Sequence, residues 1–155
     1  MSEPTTETNE LFARRHLGRA TGEDLIAWAA AMLEAGSEAR NVGILAGLTA
    51  HEADEAAEYF ARSLRELGWS EPGRRESLLW YARESAARTL RGELTPFEGC
   101  GRVYEVARAL NYPRELSGWQ CLALGHDPET FDDLEGEQYE AAVRREAARL
   151  LGQLT

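Results

Sequence analysis

Apolar residues recur along this chain at intervals of three and four and never settle into strict alternation, a pattern that predicts helices and no strands. A weak first helix is expected over about 8–17, stopping near Gly18. The second starts from Thr21 as its cap and carries Leu25, Trp28, Ala29, Met32 and Leu33 on one stripe as far as Gly36. "NVGILAGL" at 41–48 reads as a short buried helix. Thr49 to Leu67 reads as one helix with Ala53, Ala57, Phe60, Leu64 and Leu67 inward, stopped by Gly68.

Beyond Gly68 the same grammar continues. A helix over 74–90 would bury Leu78, Leu79, Ala82, Ala86 and Leu90, leaving Trp80 off the stripe. Another over 95–110 would bury Phe97, Cys100, Tyr104, Ala107 and Leu110 before "NYP" breaks it. A short helix over about 114–124 puts Trp119 in the core. The last, over 136–154, turns Tyr139, Val143, Ala147, Leu150, Leu151 and Leu154 inward. The fold class is therefore all-α, a compact bundle of six to eight helices, with a short α-solenoid of helical hairpins as the alternative architecture. Residues 1–10, polar and acidic, read as a disordered tail, and 11–155 as a single helical domain.

Two helix starts carry a specific signature. "TAHE" at 49–52 and "TPFE" at 95–98 are both T-x-x-E capping boxes, the second reinforced by Pro96 in the first turn. Their spacing of 46 residues hints at a repeat, although capping grammar alone produces such echoes. Gly99 and Gly101 inside the following helix cost roughly 1 kcal/mol each against alanine, which predicts a neighbouring helix close by. At "NVGILAGL" and "LRGELTPFEGCGRVYEVARALNYP" the chain resembles a group of small, uncharacterised all-helical bacterial proteins, over about residues 25–125. The resemblance implies a related fold and brings no catalytic or binding residues.

Charge narrows the partners. The net charge is −10, and all 17 basic residues are arginine, as the codon usage of a GC-rich bacterial genome would produce. Such a chain is ill suited to nucleic acid or an anionic membrane and better suited to a basic protein partner, or simply to staying in solution. No apolar run approaches the ~20 residues of a membrane span. The first ten residues lack the basic start and apolar stretch of a signal peptide. Cys100 and Cys121 sit in apolar helical contexts without ligand spacing, so both read as unpaired, buried and slow-reacting thiols of a reducing, cytoplasmic setting.

Two stretches invite chemistry. In "TAHEADEAAE" (49–58), His51, Asp54, Glu55 and Glu58 share one helix face opposite Phe60. The second histidine of H-E-x-x-H is missing, so the face reads as solvated and no metal or cofactor is expected. Residues 127–140 hold seven acids and no base; Asp132 stands where a calcium loop beginning at Asp127 would need glycine. The plain reading of this stretch is a polar loop leading into an acid-rich helix start. The functional reading is a docking strip of Asp127, Glu129, Phe131, Asp132, Asp133, Glu135 and Glu137 for a basic partner. With no nucleophile elbow, phosphate loop or distinctive carboxylate pair, an enzyme is not expected. The leading expectation is a protein–protein interaction or inhibitory protein, immunity- or regulator-like. A small-molecule or metal-binding helical domain, or an enzyme with scattered residues, is the alternative.

Overall fold

The computed structural model describes residues 2–152, and it is all-α: eight α-helices, two 3-10 turns and, among the described residues, no strand. A lone bridge between His126 and Asp133 is the nearest approach to β pairing. The chain divides into two compact units at the Arg74–Arg75 bond.

In the first unit α1 (Thr6–His16), α2 (Gly22–Glu34), α3 (Arg40–Ala46) and α4 (Ala56–Leu67) surround Phe12, Leu25, Trp28, Val42, Leu45 and Phe60. The expectation of a disordered tail through residue 10 is corrected here. Thr5 caps α1 by accepting from the Thr8 amide at 3.2 Å, and the Thr8 hydroxyl, wholly buried, accepts from the Trp28 indole at 2.9 Å. Further back, the Ser2 carbonyl accepts from the Trp69 indole at 2.9 Å. A polar opening stretch is thus tied down by two tryptophan N–H groups, each of which needs an acceptor once its ring is buried.

The helix expected from Thr49 starts later. Residues Ala50–Glu55 form a 3-10 turn, in which Glu52 accepts from the Thr49 amide at 3.1 Å while its own amide donates to the Thr49 carbonyl at 2.9 Å. A 3-10 turn advances about 20° more per residue than an α-helix, so over six residues the phase rotates by about a third of a turn. Within α4 Phe60 and Leu64 are buried as expected, together with Ala56 and Ser63; Ala57 is exposed, and Ala53 and Leu67 are half-buried. Phe60 meets Trp28 edge-on at 4.9 Å between centroids and Phe12 at 6.1 Å.

α3 has no cap of its own, because Ala39 offers no side-chain acceptor. Glu66 of α4 fills the role, accepting from the Arg40 amide at 2.6 Å and from the Asn41 amide at 2.8 Å. Those two bonds, that from Asn41 first, hold the Glu66 carboxyl below the usual glutamate range. A lowered carboxyl stabilises the fold above its unfolded pKa, and this contribution is lost as pH falls through its folded value. Glu66→Gln is therefore expected to lower the urea midpoint at neutral pH, with the gap to the parent chain closing in acid. A gap that does not change with pH would refute the carboxylate cap.

The second unit holds α5 (Arg74–Leu90), α6 (Pro96–Ala109), α7 (Ser117–Ala123) and α8 (Gly136–Leu150), with a 3-10 turn at Arg114–Leu116 ahead of α7. Thr95 and Glu98 complete the second capping box. α6, α7 and α8 pack on one another around Val103, Val106, Leu116, Trp119, Leu122 and Val143. Leu78, Ala82 and Ala86 of α5 are fully buried as expected, while Leu79, Trp80 and Leu90 are half-buried.

The stripe of α6 differs from expectation. Gly99, Cys100, Val103, Val106 and Ala107 are buried, Phe97 is 79% exposed, and Tyr104 and Leu110 are half-buried. The buried face is turned by roughly 80° from the expected one. Gly99 is the cause: a Cβ there would fall onto the Thr89 hydroxyl of α5, so the glycine edge must face that helix. The predicted close neighbour exists at Gly99, whereas Gly101 opens on free space. In α8 Tyr139 and Leu150 are half-buried, as is Leu151 just after it, and Leu154 lies outside the described residues.

Candidate functional site

The chemistry of the second unit converges where α7, α8 and the loop between them meet. Leu124 and Gly125 end α7, and the chain then folds tightly back on itself. Asp127 organises that loop. One of its carboxylate oxygens accepts from the Glu129 amide at 2.8 Å and the Thr130 amide at 3.1 Å. Its backbone amide donates to the Asp132 carbonyl, and its carbonyl accepts from the Phe131 amide, both at 2.9 Å. The two side-chain bonds, that from Glu129 leading, hold the Asp127 carboxyl below its ordinary range.

Phe131 stands at the tip in a left-handed backbone conformation, φ 62°, with its side chain 69% exposed. Both features are unfavourable for a phenylalanine in isolation. The backbone costs about 1–3 kcal/mol, and the ring stays in water. The surrounding hydrogen bonds over-determine the turn and hold it there.

The acids of the expected strip have unequal situations. Glu129 accepts from Arg149 of α8 at 3.1 Å, Asp127 lies 3.9 Å from Arg145, and Asp133 lies 2.9 Å from His126 Nδ1. Asp132, Glu135 and Glu137 have no ion-pair partner among the described residues. Glu135 is the residue before α8 and Glu137 lies in its first turn, where the helix dipole favours a negative charge. The strip is thus a mixed surface whose negative charge is densest at 132–137. Its members open onto two hollows. Asp127, Asp132 and Asp133 border a shallow one of about 540 Å³ with Arg145, and Glu129 and Phe131 border a larger cleft of about 680 Å³.

The larger cleft contains the residue that the amino-acid pattern concealed. Glu146 is only 7% exposed, and its burial pushes the carboxyl up from the ordinary glutamate range, against the pull of Arg149. One oxygen accepts from Arg149 Nη1 at 3.1 Å; the other accepts no hydrogen bond from the described residues. Gly118 of α7 makes the space, since a Cβ there would lie 2.5 Å from Glu146 Oε1. In "VRREAARL" a glutamate among arginines reads as a solvated charge. The available signal was its position between Val143, Ala147 and Leu150 on the apolar stripe.

Cys121 borders the same cleft and is half-buried, which corrects the expectation that both thiols are buried. Cys100 is buried, and that burial raises its pKa. In the native protein one thiol per chain is expected to react readily with an aromatic disulfide reagent, and Cys121→Ser should abolish that phase. Equal rates for the two thiols would contradict the assignment.

In the first unit His51, Asp54, Glu55 and Glu58 are all exposed, and Glu58 accepts from Arg62 at 2.6 Å, so this face is solvated as the sequence pattern indicated. Among the described residues no group of three or more histidines, cysteines or acids is placed to hold a metal ion. No described helix is long and apolar enough to cross a membrane. Comparison with known proteins finds no matching family model, no similar curated protein and no similar solved structure.

Proposed function

We propose that the chain is a protein-binding module, inhibitory or regulatory in role, that docks a basic partner through the loop between α7 and α8. The observation that carries this reading is Phe131, an exposed aromatic ring on a left-handed turn held by Asp127 and followed by Asp132, Glu135 and Glu137, which have no ion-pair partner among the described residues. A fixed aromatic loses little freedom on binding, and hot spots are typically such anchors ringed by polar groups. The acids serve the encounter, steering a positive surface and setting its salt dependence. A partner of this kind presents an apolar pocket rimmed by lysine or arginine.

The test begins with affinity capture from the native host and continues with the purified partner. Asp127 is left intact because it holds the loop. Asp132→Asn, Asp133→Asn, Glu135→Gln and Glu137→Gln together should slow association and flatten its dependence on ionic strength, as charges a Debye length of ~8 Å apart cease to add. Phe131→Ala should weaken binding by about 2 kcal/mol and mainly speed dissociation. A partner indifferent to both changes would discard the loop as the docking element.

A further inference from the structure

We propose that the cleft floored by Glu146 is a binding site for a small zwitterion, a molecule carrying a protonated amine at one end and an acid group at the other. The inference goes beyond the docking reading and does not depend on it. Four observations support it. The cleft is about 680 Å³, within the ~300–1,000 Å³ usual for small-molecule sites. Its floor is a carboxylate whose side chain is 9% exposed, with one oxygen bound to Arg149 and the other without a donor. The second oxygen is open to the cleft, where an ammonium group supplies a donor together with the matching charge.

The third observation is at the rim. Arg83 and Arg114 border the cleft and have no ion-pair partner among the described residues. Glu115, beside them, is engaged by Arg75, and Arg149 is shared between Glu129 and Glu146. Two guanidinium groups therefore remain for an acid, and guanidinium grips carboxylate or phosphate with two parallel bonds. The fourth is the charge balance: Arg83, Arg114 and Arg149 against Glu115, Glu129 and Glu146 cancel. A plain cation would meet the arginines, and a plain anion would meet Glu146. A ligand with both ends satisfies both, and Pro128, Phe131 and Leu150 offer apolar wall for a chain between them.

The experiment titrates the ¹⁵N-labelled full chain with straight-chain ω-amino acids from glycine to 8-aminooctanoic acid, following amide shifts. The matched alkylamine and alkanoic acid of each length serve as single-ended controls. The series finds the spacing between the two ends. The expected result is shifts at 117–121 and 146–150, with one chain length binding at least tenfold tighter than either control. Arg83→Ala with Arg114→Ala should bring that probe down to the affinity of its alkylamine. Glu146→Gln should bring it down to that of its alkanoic acid. Gly118→Ala, which pushes a methyl group against the carboxylate, should weaken amine binding without removing a charge. The unmodified chain alone can overturn the proposal: no shift around the cleft with any probe, or equal affinity for amino acids and single-ended controls, would do so.

Discussion

Phe60→Ala is expected to cost about 3–5 kcal/mol of folding stability, the usual range for emptying a buried phenylalanine site. Phe60 is fully buried and meets both Trp28 and Phe12 edge-on. Such aromatic pairs add ~0.5–1.5 kcal/mol beyond the area they bury. The Arg15 guanidinium, 4.9 Å from the ring centroid, loses its platform as well. Trp28 cannot simply move into the space, since its indole is tethered to the Thr8 hydroxyl at 2.9 Å. A cavity should therefore persist, which places the cost toward the upper end. Urea denaturation followed by circular dichroism would measure it. A loss under about 1.5 kcal/mol would mean that this core collapses around the gap and is not held by the tether.

Gly99→Val should cost about 3 kcal/mol, the upper end for overpacking, because α5 and α6 would have to separate. Thr89 cannot swing clear: its Cβ and Cγ2 lie 3.0 and 3.1 Å from the new Cβ, and its hydroxyl is bound to the Ser85 carbonyl at 2.8 Å. Thr89→Ala in the same chain should recover part of the loss. Gly101→Ala, two residues away on an open face, should stabilise by roughly 1 kcal/mol through helix propensity alone. Similar unfolding midpoints for the two glycine variants would rule out the close approach at Gly99.

The pair Gly99 and Gly101 illustrates how far the fold was legible before any coordinates. Helices and their stops follow from three- and four-residue spacing, and α5 has the expected bounds, Arg74–Leu90. Which face of a helix turns inward depends on neighbours, and apolarity alone decided it wrongly for α6. Phe97 is large and apolar, yet the approach of α5 at Gly99 directs it to solvent. At α4 the difference lies in where the α-helix begins, because a 3-10 turn looks like an α-helix at the level of residue types. The site was legible in part. The acids and Phe131 stand out locally, whereas the arginines that engage them lie along α8. Glu146 needed both the apolar stripe and Gly118 across the gap, which only folding brings together.

The cap that α3 borrows from Glu66 has a consequence for the order in which this chain can fold as it is made. Seven residues are too few to sustain a helix alone, since a nucleus of this length is unfavourable in water. The amides of Arg40 and Asn41 receive their acceptor from a residue 26 and 25 positions later. At ~5–20 residues per second, a ribosome needs roughly 1–5 s to add that length. During that interval the apolar segment of Val42 and Leu45 has left the peptidyl-transferase centre without the partner that terminates it, so α3 is completed by the arrival of α4. A released chain ending between residue 48 and Glu66 should therefore present this segment to chaperones, and one extended through the end of α4 should withdraw it.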